Sequence, residues 1–343
     1  MEKLRALLKR VGPKVGYPAF YLFCLVIFIS WTFPYEKLKE RIVAQFNAQQ
    51  RNSSQPQELQ IDDLDSSFFT GVKAKGIRLI SPASEPGKAP SVISIDEARA
   101  RISLLGLLVG NKNVSFNVDA FDGTIKGTFE DGGKTRDIDV TFDGVDLARI
   151  DAIAPNIGFP LDGKLFGTIK LNLPEGKASK GNGNIALELK ELNAGSSKEK
   201  ELTIKTPMGP FTLPRLKVGN LTINGDAKDG VLKIAKLAGT GGDVDVNGDG
   251  KVQLRELATD AHLEVNLKFK INDGYRNKND KTKLLFGAPG AKDKPMLEMD
   301  PKMSRAKTAD GFYVLRIGGT LARPDVQPGS GAGGGAPSVP TFK

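Results

Sequence analysis

From Glu58 to Leu321 the chain keeps returning to an alternation of apolar and polar residues with a period of two. Gly123-Thr124-Ile125-Lys126-Gly127-Thr128-Phe129, Gly163 to Leu173, Gly183 to Leu189 and Leu263 to Ile271 are the clearest runs, and Val72 to Ile80, Val92 to Ile102, Leu221 to Ile223, Val231 to Ile234 and Val244 to Val246 repeat the theme. Successive side chains of a strand point to opposite faces, so these runs require a sheet with one dry and one wet face. The links Pro174 to Asn182, Gly195 to Lys200 and Gly239 to Gly242 are short, polar and glycine-rich, the kind that joins antiparallel neighbours. A mostly β chain built as an antiparallel meander over residues 58–328 is expected.

Ahead of it lies a different signal. Val15 to Tyr35 is 21 residues without a charge, between Lys14 and Glu36, and about 20 helical residues match a hydrocarbon core of about 30 Å. Tyr17 and Tyr21 near one end and Trp31 and Tyr35 near the other suit the headgroup layers. Lys3, Arg5, Lys9, Arg10 and Lys14 precede the segment, against Lys37, Lys39 and Arg41 after it, which predicts a cytoplasmic N-terminus on residues 1–14 and an exported remainder. A cleaved signal peptide is the rival reading, but Ser30-Trp31-Thr32-Phe33-Pro34 is a poor cleavage site. Residues 36–57 read as a juxtamembrane helix and loop: Leu38, Ile42 and Phe46 are four apart and form a narrow stripe, expected to pack on the domain rather than lie on the bilayer. Leu104-Leu105-Gly106-Leu107-Leu108-Val109 is too short to span; it reads as a buried turn or short helix, with contact to lipid as the alternative. Residues 329–343 are Gly, Ser, Ala and Pro with little to bury, and disorder is expected there.

Composition removes several function classes. The formal charge is +9, but five bases against Glu2 in the first 14 residues supply much of it, and no basic patch interleaved with aromatics follows, so nucleic acid is not an expected partner. Cys24 is the only cysteine and sits inside the apolar segment, so the exported part has no disulfide and no cysteine metal site. His262 is the only histidine, in the alternating run Ala261-His262-Leu263-Glu264-Val265, and reads as a partly exposed strand residue rather than a catalytic base. No catalytic, cofactor or metal residue is assigned, no cofactor is expected, and a small-molecule substrate is not indicated.

Two motifs remain. Asp245 to Glu256 satisfies the calcium-loop pattern, with Asp245, Asn247 and Asp249 at positions 1, 3 and 5, Gly250 at 6 and Glu256 at 12. Flanking helices are missing from the pattern, which favours a β-hairpin turning at Asn247-Gly248 or Asp249-Gly250. Gly158 to Lys164 imitates a phosphate loop, but Leu165 stands where a hydroxyl would bind magnesium. Arg276 to Lys294, charged and interrupted by Leu284-Leu285-Phe286, reads as a mobile excursion.

In their order along the chain, Thr32 to Lys39, Phe68 to Leu79, Val92 to Gly110, Gly241 to Val246 and Tyr313 to Pro324 resemble the type II secretion system protein N family. The likeness covers residues 10–328 in layout; the glycine-rich tail departs from it. It implies a non-enzymatic inner-membrane accessory of a type II secretion system, crossing once, with a periplasmic β domain, other secretion subunits as partners and no catalytic residue. That family is similar in turn to AsmA-like proteins, whose curved sheets carry an apolar inner face suited to lipid chains. The resemblance therefore also implies an alternative, a lipid-binding or lipid-transfer protein with membrane lipids as partners. Whether Ile169, Leu171, Leu187, Val265 and Leu267 are covered by a second layer or left open separates the two.

Overall fold

The computed structural model describes residues 16–18, 20–21, 24–25, 27–28, 32–51, 56–67, 70–82, 90–103, 106, 110–151, 153–198, 200–206, 209–291 and 293–330. Eight of the 21 residues of Val15 to Tyr35, most of Leu104 to Val109, and the tail beyond Ser330 lie outside the described residues. Among the described residues no helix is long and apolar enough to cross a membrane.

The alternating runs form one curved antiparallel sheet of fourteen strands. These are β1 (Glu58–Ser67), β2 (Gly71–Ser81), β3 (Ser91–Ile102), β4 (Lys112–Ala120), β5 (Gly123–Asp131), β6 (Thr135–Asp146), β7 (Leu161–Pro174) and β8 (Asn182–Ala194). After a separate two-stranded hairpin, β9 (Glu201–Thr206) and β10 (Gly209–Pro214), follow β11 (Leu216–Lys228), β12 (Val231–Thr240), β13 (Val244–Gln253), β14 (His262–Ile271), β15 (Tyr313–Thr320) and β16 (Arg323–Pro328). Each strand of the large sheet pairs with its chain neighbours except at the inserted hairpin, across which β8 pairs with β11. Gly195 to Lys200 thus leads into this hairpin instead of joining two neighbours of the large sheet, a correction to its reading as a simple link. Two-residue turns close β4–β5 at Phe121-Asp122 (φ 55° and 54°) and β11–β12 at Asp229-Gly230 (φ 48° and 76°), the left-handed pair that matches strand twist.

Helix α1 (Tyr35–Gln50) lays Leu38 and Ile42 on Leu59, Ile61, Leu64, Ala74 and Ile77 of β1 and β2. Its side chains also serve the open edge of β1: Asn47 Oδ1 accepts from the Leu59 amide at 2.8 Å, and Lys39 Nζ donates to the Asp62 carbonyl at 3.1 Å. Unpaired edge groups invite foreign strands, and these bonds occupy some of them.

Asn272 to Lys307 is a docked cap and not the mobile excursion its polarity suggests. Three short helices, α2 (Asp273–Arg276), α3 (Asp280–Phe286) and α4 (Pro301–Ala306), carry it. Tyr275, Thr282 and Leu285 are its buried anchors. Leu285 joins Ala194, Leu202 and Leu213 beneath it, and Tyr275 joins Val244 and Ile271. Asn279 and Thr282 form a reciprocal capping box that starts α3. The Tyr275 hydroxyl donates to the Pro214 carbonyl; burial, with Asp243 nearby, pushes its pKa up and keeps the proton in place.

Candidate functional site

Cross-strand partners share a face of the sheet, so the pairing register can be followed from edge to edge. Starting at Leu64 it reads Ala74, Ala98, Val118, Ile125, Phe142, Gly167, Leu187, Ile223, Leu237, Gly248, Leu267, Leu315 and Pro328. No member of this row, one residue from each strand, is polar. The next row runs from Ser66 through Val72, Ala100, Phe116, Gly127, Val140, Ile169, Ile185, Gly225, Ile234, Gly250, Val265 and Ile317 to Val326, with Ser66 its single polar member. A third, from Ile102 through Val114, Phe129, Ile138, Leu171, Gly183, Ala227, Leu232 and Val252 to Leu263, is apolar throughout.

At about 4.8 Å per strand step, the first two rows run for roughly 60 Å and the third for about 43 Å, and at about 6.6 Å spacing the three make a band at least 13 Å wide from β3 to β14. Bulges in β6, β8, β11 and β12 absorb the extra residues and keep the rows on one face. The glycines in the rows are roofed by their neighbours: a Cβ on Gly127 would strike the Phe116 ring, and one on Gly248 would meet Leu237 and Leu267 at 3.4 Å.

The cover over this band is partial. α1 covers the rows at β1 and β2, and the cap covers the strand ends around Ala194, Leu216, Val244 and Ile271. Between them Ile169, Leu171, Leu187 and Leu267 stay half-buried, shielded by flanking side chains, with Val265 the one buried member of the five. About twenty Val, Leu, Ile and Phe side chains of these rows are half-buried, and contiguous apolar surface left open to solvent marks a binding face.

The opposite face is charged. Its rows read Asp65, Lys73, Arg99, Asn117, Lys126, Thr141 and Arg101, Ser115, Thr128, Asp139, Lys170, Asn184, Asp226, Lys233, Lys251, Glu264. Ion pairs such as Lys73–Glu97 at 2.6 Å and Lys170–Asp139 at 3.2 Å cross it. The hydrogen bond from Lys73 holds the Glu97 carboxyl below its ordinary range. A hollow of about 690 Å3 over β12–β15 is lined by Lys233, Lys251, His262, Glu264 and Arg316 of this face together with Ile234, Leu263, Val265 and Ile317 of the apolar rows. His262 is exposed, and among the described residues its ring has no hydrogen-bond partner.

The calcium-loop motif is dispersed. Asp245 to Gln253 is part of one continuous strand, β13, paired with β12 on one side and β14 on the other, so the expected hairpin is not formed. Gly248 and Gly250 have no positive φ; they are the small members of apolar rows, where a Cβ on Gly250 would lie 2.5 Å from the Glu264 carbonyl. Asp245, Asn247 and Asp249 are spaced about 6.6 Å apart along one face, too far apart to share an ion held at about 2.4 Å. Glu256 instead accepts the Ala178 amide at 3.0 Å. Gly158 to Lys164 runs into β7 in the same way, and no phosphate loop is present. Among the described residues no group of three or more His, Cys, Asp and Glu could hold a metal ion. No family model, curated protein or solved structure matches the chain.

Proposed function

We propose that this chain is a non-enzymatic envelope protein, tethered to the inner membrane by Val15 to Tyr35, whose apolar band carries the acyl chains of lipids. The observation that supports this reading is the unbroken apolar register across all fourteen strands, with no second layer over its middle among the described residues. A closed core needs no such continuity from edge to edge, whereas an extended hydrocarbon ligand does. Removing a methylene wholly from water is worth about 0.8 kcal/mol, so an acyl chain shielded on one side gains around half of that per carbon. The charged face keeps the other side of the sheet in solvent.

The test uses full-length protein purified from membranes. Phospholipid should co-purify with the wild type and be lost from Leu171→Asp and Leu267→Asp, both of which should stay folded, because water reaches half-buried positions and spares the carboxylate the cost of full burial. A folded, lipid-free wild type with strongly destabilised variants would overturn the lipid reading. The accessory role in type II secretion that the sequence resemblance implies would then take its place.

A further inference from the structure

The direction of α1 bears on which part of the sheet meets the bilayer. Lys39 lies beside Asp62 and Asn47 beside Leu59, so α1 runs opposite to β1. Eight helical residues cover about 12 Å and three strand residues about 10 Å, so the two axes are close to antiparallel. Following α1 back about 6 Å from Lys39 to its first residue, Tyr35, brings the chain level with Leu64. The ends of β1 at Ser67 and of β3 at Ile102 then reach farther in the same direction, and the Ile102 amide donates to the carbonyl of Thr70, the residue that precedes β2, at 3.1 Å. Ile102 is 44% exposed although it ends an apolar row, and Phe33, whose ring packs 5.0 Å from that of Tyr35, is 40% exposed.

We infer that a lipid surface is the partner of this corner: the ends of β1 and β3 at Ser67 and Ile102 stand against the bilayer beside the anchor, with the opposite end of β2 at Ser81 held away from it. The inference rests on the reading of Val15 to Tyr35 as an anchor. It commits to the bilayer because the chain outside the helix is the uncharged segment that ends at Tyr35, the first residue of α1. The apolar rows then meet the membrane at their β1–β3 end, where α1 packs on β1 and β2 and Ile102 at the end of β3 is exposed.

Full-length protein carrying Cys24→Ser, with Ile102→Cys or Pro82→Cys added, is labelled with a fluorophore and reconstituted in phosphatidylcholine vesicles containing nitroxide-bearing lipid. Pro82 is exposed and follows the last residue of β2. Ile102→Cys should lose fluorescence to the lipid quencher, and Pro82→Cys, about 36 Å away along the strands, should keep it. Equal quenching at both sites, or none at Ile102→Cys, in protein that still floats with the vesicles would overturn the inference and leave the anchor standing. Protein that fails to float would remove the anchor, and the inference with it. A phosphatidylcholine-bound wild type in the lipid extraction remains a separate readout of the apolar band.

Discussion

At Gly250 and Asp229-Gly230 the same local signal has two outcomes. Asp229-Gly230 turns the chain with φ 48° and 76°, while Asp249-Gly250 runs straight through β13. What differs is the surroundings: Gly250 faces Ile234 and Val265 in a row that has no room for another side chain. Local sequence carries no cross-strand register, so the turn signal at 249–250 could not be told from a spacing glycine. Gly250→Val should lower stability by about 2 kcal/mol or more through overpacking and backbone displacement, measured by urea unfolding. Calcium titration should give no binding heat at micromolar ion concentrations, and Glu256→Gln should leave that unchanged, because the acidic residues of the motif do not converge.

Among the elements, the strands were legible and the cap was not. Periodicity of two runs through most of the long strands and is interrupted only at bulges, but α2 and α3 have four and seven residues, too few for a helical stripe to emerge from a charged background. Their anchors are single residues. Leu285→Ala should cost about 3 kcal/mol of cap stability, seen as faster amide exchange over residues 272–307 with the far strands unaffected. The cap is also tied by Glu298, which accepts from Lys307 at 2.6 Å and from the Tyr313 hydroxyl at 2.7 Å. Burial raises the pKa of this carboxyl, but the two hydrogen bonds outweigh it and the net shift is downward. A carboxylate held below its unfolded value near 4.3 contributes stability above that pH and loses it as pH falls through the folded value. Near-ultraviolet circular dichroism should therefore report a loosening of the cap at pH below about 4 that Glu298→Gln abolishes.

For the molecule as a whole, the alternation foretold a sheet with a dry face, yet an open face and a closed sandwich share the same pattern. Whether a second layer lies over the rows separates them, and that depends on the fold of the whole chain: fourteen of its sixteen strands join one sheet instead of dividing into two that face each other. The open stretch over Ile169, Leu171 and Leu187 was equally out of reach, since it depends on where the cap and α1 come to rest. Because each strand is bonded only to those beside it in the chain, apart from the step over the β9–β10 insertion, the sheet resembles a solenoid, whose stability is nearly a sum of neighbour terms. Adding or deleting one hairpin in the middle would change the length of the apolar band by about 10 Å and leave the inside-outside assignment of every other residue intact. Such an architecture can be lengthened in evolution like a ruler, one graduation of two strands at a time, to suit the span it has to serve.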